Sequence, residues 1–179
     1  VTVRTLGELQ NWIARARDIG HVAIDTEATS LDPMQAEMCG FSLALPPNEA
    51  CYVPLTHRQG GDGTGLFAGG RAPNQIDAAA ALAALKPLLE DASVLKIGQN
   101  LKFDALLFAQ RGIALRAIDD TMLISYVLDA GRGAHGMDQL AATWVGHAAS
   151  SYGEVAGTGK SRVCFDQVSI EKATEYAAE

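Results

Sequence analysis

The stretch HVAIDTEATSL, residues 21–31, opens as an apolar strand and then carries two acids near its end. His21 to Ile24 are residues that favour a pleated, half-buried strand. A carboxylate that leaves water without a partner is costly, so Asp25 and Glu27 call for one. Residues two apart on a strand share a face, roughly 6.6 Å from each other at ~3.3 Å per residue. The two acids therefore project together, with Thr26 turned the other way. Such a pair can hold one or two Mg²⁺ or Mn²⁺ ions, which take hard oxygen ligands. A strand end facing solvent would carry the same two residues with no metal at all.

Working outward, Thr5 and Glu8 form a capping box for a helix whose Leu6, Leu9, Ile13 and Ala16 repeat at helical spacing until Gly20. Downstream, EMCGFSLAL (37–45) and CYVPL (51–55) read as two strands joined through Pro46-Pro47-Asn48, an antiparallel meander. The glycine-rich HRQGGDGTGLFAGGRAPN (57–74) reads as a loop. The alanine-rich 75–90 stretch predicts a helix with Leu82, Leu85 and Leu89 on one face, bent or restarted at Pro87. VLKI (94–97) is a short buried strand reached by that helical crossover, which allows it to lie parallel to an earlier strand. Helices follow near 100–111, 119–129, 137–145 and 169–179. A meander followed by helices and a further strand implies an α/β fold, a mixed sheet flanked by helices.

GQNLKFD (98–104) follows the VLKI strand, and Asn100 is placed to cap the helix it opens. Asp104 then lies one turn into that helix, close to the face of Asn100. If the VLKI strand neighbours the first strand, Asp104 approaches Asp25 and Glu27 and completes a metal cage; alone, it is ordinary compensation of the helix dipole. Tyr176, in TEYAAE, fits the apolar face of the last helix just as well as a site.

The bulk composition narrows the classes. At 179 residues, 48% apolar and 20% charged, the chain suits one domain with a substantial core. Cys39, Cys51 and Cys164 are odd in number and widely spaced, which gives neither a disulfide framework nor a CxxC metal pattern and fits a reducing cytoplasm. A formal charge of −7 argues against gripping nucleic acid by net charge alone, though not against meeting a few phosphates through metal ions. His21, His57, His135 and His147 lack zinc-ligand spacing. GEVAGTGKS (153–161) has Glu154 where a phosphate loop needs its first glycine, so it reads as a loop able to touch phosphate through Lys160 or Arg162. Asp119 and Asp120 read as helix caps.

DTE, GQNLKFD and the terminal YAAE, in this order and at these separations, resemble the proofreading 3′–5′ exonuclease domain of bacterial DNA polymerase I, in the tyrosine-bearing branch of the DEDD exonuclease superfamily. The similarity extends over LKPLLEDASVLKIGQNLKFD, DDTMLISYVLDAG and EVAGTGKS. The resemblance implies a ribonuclease H-like fold and a bacterial, cytoplasmic enzyme. It also implies two divalent ions, Mg²⁺ or Mn²⁺, held by Asp25, Glu27 and Asp104, with Tyr176 orienting the attacking water. Thr26, Leu31, Gln99, Asn100, Phe103 and Tyr152 become substrate contacts, with Leu31 wedging against the terminal base and Tyr152 stacking. The implied partners are a single-stranded or frayed 3′ end of DNA and a polymerase domain fused on the C-terminal side, in a monomeric chain. A ribonuclease D-like RNA exonuclease and a catalytically silent scaffold of the same fold are the alternatives.

Three features depart from the family pattern. Its fourth carboxylate falls four residues after the tyrosine, one beyond Glu179, so the expectation is a fragment cut before its last catalytic acid and weak on its own. The 57–74 loop is long for the family. Ala134 stands where an arginine is usual before the matching histidine, here His135, with Arg132 two residues earlier.

Overall fold

The computed structural model describes residues 1–59, 70–131 and 133–179; the middle of the glycine-rich stretch and Arg132 lie outside the described residues. Helix α1 (Leu6–Ile19) begins at the expected capping box: the Glu8 amide donates to Thr5 Oγ1 at 3.3 Å, and the Thr5 amide to Glu8 Oε2 at 2.9 Å. It ends where Gly20 takes φ 86°, a conformation L side chains resist. The chain then enters β1 (His21–Ala28), β2 (Met38–Leu45) and β3 (Glu49–Pro54), the expected meander. Helix α2 (Ala78–Leu89) leads to β4 (Leu95–Gly98) and α3 (Leu101–Ala109). A three-residue strand β5 (Ile118–Asp120) precedes α4 (Thr121–Leu128), α5 (Met137–Trp144), α6 (Tyr152–Ala156) and α7 (Ile170–Ala177).

The five strands lie in the order β3-β2-β1-β4-β5. β1 pairs antiparallel with β2 and parallel with β4, as the helical crossover allows, and β5 runs parallel to β4. Three local expectations need correction. α2 runs unbroken through Pro87, because the proline lies in the last turn and Leu85, Leu88 and Leu89 bury around it. Ile118–Asp120 is a strand rather than the start of a helix; three residues are too few to show an alternating pattern. The helix-like reading also passed over α6 and two 3-10 turns, Gly159–Ser161 and Phe165–Gln167.

The two faces of the sheet differ. Alternation sends Val22, Ile24 and Thr26 of β1 to one side, with Phe41, Leu43 and Val53, where α1, α2 and α3 complete one large apolar core. Asp25 and Glu27 project to the other side, opposite Ser42 and Gly40. That side carries a small cluster of Cys39, Tyr52, Ala156, Phe165, Val168 and Ala173, with Tyr152 and Tyr176 packed on it. α4 and α5 bury no side chain among the described residues; Val127 and Leu128 are 80% exposed and Trp144 78%. No described helix is long and apolar enough to cross a membrane.

Candidate active site

Asp25 and Glu27 end up at the crowded end of the central strand through two glycines and a bulge. A side chain at Gly98 would meet the Ile24 carbonyl at 2.7 Å, so only glycine lets β4 come in against β1 just before Asp25. Gly40 faces Glu27, and its missing side chain leaves the space that the Tyr52 hydroxyl group fills. Between Glu27 and Ala28 the register slips, Glu27 facing Gly40 and Ala28 facing Met38, a bulge that redirects the strand directly after the second acid.

The close approach of β4 also brings in α3. Asp104, buried at 3% exposure, accepts the Thr26 hydroxyl at 2.5 Å, so Thr26 does point away from Asp25 and Glu27 and meets the third acid there. The charges of all three acids are felt together. Burial, and then the Asp104 charge, push Asp25 up to about 7. Burial, then Asp25 and Asp104, push Glu27 up to about 9. Asp104 is raised by burial, against the opposing Thr26 hydrogen bond. The three share one electrostatic environment but not one coordination shell: among the described residues no three His, Cys, Asp or Glu side chains stand so that they could hold a metal ion as they are. The donor set itself, hard anionic oxygens that repel one another in a dry site, suits a hard divalent cation.

Tyr176 comes to the same place from α7. Burial, then Glu27 and Asp25, push its phenol up to about 12, so it stays protonated. It belongs to an aromatic group: Tyr152 stacks on Phe165 with centroids 6.1 Å apart, and Tyr176 meets Tyr152 edge-on at 6.4 Å and Phe165 at 6.0 Å. The Arg162 guanidinium lies 5.0 Å from the centre of the Tyr152 ring. His57 pins this face to the sheet, one ring nitrogen 2.8 Å from Tyr52 Oη and the other 2.9 Å from the Val168 carbonyl.

The expected substrate contacts divide. Leu31 is 89% exposed beside the acid-bearing strand, free to touch a ligand. Gln99 is occupied within the protein, accepting the Thr121 hydroxyl at 2.5 Å and donating to the His135 carbonyl at 2.7 Å. Phe103 is half-buried against the large core and Tyr152 half-buried against the small one. Asn100 corrects the sequence reading. It is left-handed, at φ 56° and ψ 42°, and its side chain caps nothing; Asp120 accepts the first amides of α3 instead. Glu179 is turned elsewhere, 2.8 Å from His147 Nε2 and accepting the Ser150 amide at 3.0 Å. Phe165 and His57 were missed, since one buried aromatic and one buried histidine carry no sequence signature.

A mixed sheet in the order β3-β2-β1-β4-β5 flanked by helices is the ribonuclease H-like arrangement, with three acids and a tyrosine helix at one end of its central strand. Comparison with known proteins makes the assignment specific. The chain belongs to the 3′–5′ exonuclease family found in DNA polymerase I, whose description "3′–5′ exonuclease" matches residues 1–179. It is 57% identical to DNA polymerase I of Rhizobium leguminosarum over 100% of its length and 44% identical to that of Pseudomonas aeruginosa over 94%. It spans only 18% of either relative. Among solved structures, Brucella melitensis NrnC superimposes with a TM-score of 0.64 at 21% identity, covering 99% of this chain and 70% of that one. Escherichia coli RNase D does so at 0.66 and 15%, covering 99% and 40%. At such identities the likeness is one of fold.

Proposed function

We propose that this domain removes nucleotides from the 3′ end of single-stranded or frayed DNA with the help of two divalent ions, as the editing part of a longer polymerase chain. One observation carries the reading: Asp104 accepts a hydrogen bond from Thr26, the residue between Asp25 and Glu27 and 78 positions before it, and the charges of these acids act on one another beside Tyr176. The three carboxylates would hold the ions, Mg²⁺ or Mn²⁺; a structure of the neighbour NrnC has Mg²⁺ bound. Such ions supply charge stabilisation for the attacking and leaving oxygens of an in-line displacement and an acidified water.

The residues of the chain do the rest. Asp25 and Glu27 would give up their protons to serve as ligands, and a nearby cation would favour that ionised form against the burial and mutual repulsion that raise them. Tyr176, protonated throughout, donates its hydrogen bond to the attacking water and so orients it. Attack forms a P–O bond and breaks the bond to the penultimate 3′ oxygen, which leaves with a proton as a hydroxyl; the products are a nucleoside 5′-monophosphate and a strand shorter by one. Leu31 would wedge against the terminal base. Thr26, Asn100 and Gln99 shape the site through the contacts described above, and Phe103 and Tyr152 offer ring edges at its rim. Arg162, over the Tyr152 ring, would be available to meet a phosphate.

The test is degradation of a 3′-labelled single-stranded DNA oligonucleotide with Mn²⁺ by the natural full-length polypeptide and its Asp25→Ala variant. Release of mononucleotides by the first and not the second supports the reading, and equal degradation ends it. An RNA oligonucleotide of the same sequence run in parallel decides between DNA editing and RNA trimming. Inertness toward both strands leaves the scaffold role.

A further inference from the structure

One acid beside the site has no part in the reaction just described. Asp120 is only 8% exposed, at the end of β5. Its Oδ1 accepts the amides of Asn100 at 3.0 Å, Met122 at 3.0 Å and Leu123 at 3.3 Å, and its Oδ2 accepts that of Leu101 at 2.9 Å. The amides of Asn100 and Leu101 lie at the start of α3, after the neighbouring strand; those of Met122 and Leu123 open α4. An aspartate at a helix N-terminus ordinarily satisfies its own helix. Here a single carboxylate satisfies two, and fixes one helix start against the other.

The beneficiary is α3. Asn100 before it is left-handed and gives no side-chain cap, so without Asp120 the amide of Leu101 would be buried and unpaired. Asp104 stands one turn further along the same helix. On the other side, Gly98 fixes the end of β4 against Ile24. Thr121, next to Asp120, touches the junction as well, its hydroxyl oxygen 3.1 Å from the Gly98 carbonyl oxygen and 2.5 Å from Gln99 Oε1. The place of Asp104 relative to Asp25 is therefore set at two points, Gly98 and Asp120.

We propose that Asp120 is a positioning residue: by holding the start of α3 from α4, it sets Asp104 against Asp25 and Glu27 and so governs how tightly the three acids bind a divalent ion. The inference rests on the exonuclease reading. A residue that only capped α4 would be replaceable by serine, a good N-cap whose short side chain cannot reach across to Leu101.

The experiment titrates Mn²⁺ into the 179-residue chain, followed by the electron paramagnetic resonance of free ion, for wild type, Asp120→Ser and Asp120→Asn. Circular dichroism and thermal melting run alongside, and KM for single-stranded DNA is measured in the full-length polypeptide. The expected result is folded variants whose Mn²⁺ affinity is weaker by about tenfold or more, the scale set by residues that orient metal ligands, with KM for DNA unchanged. Asp120→Ser with wild-type affinity overturns the proposal, and so does loss of fold in both variants, which would make Asp120 a structural cap. A wild-type protein that neither takes up Mn²⁺ nor degrades DNA removes the exonuclease reading and this inference with it. An active wild type with an unaffected Asp120→Ser removes the inference alone.

Discussion

The two faces of the sheet are built to different ends from the same strands. On one, Val22, Ile24, Phe41, Leu43, Leu85 and Phe108 pack into a continuous apolar core, almost all of it closed to water. On the other, a small cluster around Tyr52 and Phe165 lies with Asp25, Glu27, a histidine and two further tyrosines, while Asp104 reaches the strand from the core side through Thr26. Consecutive residues of one strand thus serve opposite purposes: Ile24 adds to stability, and the next residue, Asp25, subtracts from it. The difference shows where chemistry can be placed. Charges that repel one another in a dry setting are tolerable only where the opposite face supplies the stability they remove.

The comparison breaks most decisively at Asp25. Asp25→Ala should lower the exonuclease rate by about 10³-fold, the scale of losing a group that stabilises transition-state charge. The melting temperature of the metal-free protein should hold or rise, because a buried, mutually repelling carboxylate is gone. A calorimetric scan of the two proteins in a chelator decides; a fall of several degrees would mean that the acid face is also structural.

Leu85→Ala is the mirror experiment. Leu85 is fully buried in the large core, and its truncation should cost about 2–5 kcal/mol in urea unfolding. The kcat of the protein that remains folded should not change. Loss of kcat without loss of stability would blur the division between faces.

How much of this was legible in the sequence follows the same division. The apolar face was readable because it repeats: the Leu9–Ile13–Ala16 spacing of α1, the meander and the buried VLKI strand each leave a periodic trace. The acids were readable as DTE and as the aspartate of GQNLKFD, and their approach followed from the parallel pairing of β1 with β4. The means of approach was not. The missing side chain of Gly98, the two helices capped by Asp120 and the left-handed Asn100 are properties of backbone geometry between segments, and no local pattern encodes them. The expected cage was too simple as well, since Thr26 draws Asp104 to its own hydroxyl.

Titration sharpens the contrast further. Folding raises Asp25 from the ordinary 3.8 to about 7 and Glu27 from 4.5 to about 9, so the folded state binds more protons than the unfolded state across this range. Stability from these groups is complete below pH ~4 and declines as pH rises toward about 9. Melting temperatures of the metal-free protein should therefore drop through this window, and Mg²⁺ or Mn²⁺ should restore them at the alkaline end by binding the ionised form. His57 acts in the opposite direction. Burial lowers it below its usual 6.5, so its share of stability is present above that value and is lost as pH falls from there. A metal-free melting profile that stays flat through this window would show that the acids are not one electrostatic unit, and one that ignores the chelator would show that they hold no metal.

The smallest effect is expected at Leu31, which belongs to neither core. With 89% of its surface in water it contributes little to folding, and Leu31→Ala should change unfolding free energy by no more than about 0.5 kcal/mol. An apolar side chain left in solvent at the edge of the acid face still has something to gain from a nucleobase. Covering about half of it corresponds to ~1 kcal/mol, so KM for single-stranded DNA should rise by about fivefold in Leu31→Ala, with kcat nearly unchanged. Steady-state kinetics on a short oligonucleotide separates the two constants. If kcat falls and KM does not, Leu31 acts on the geometry of the scissile bond rather than by gripping the base, and the acid face reaches further along the chain than Glu27.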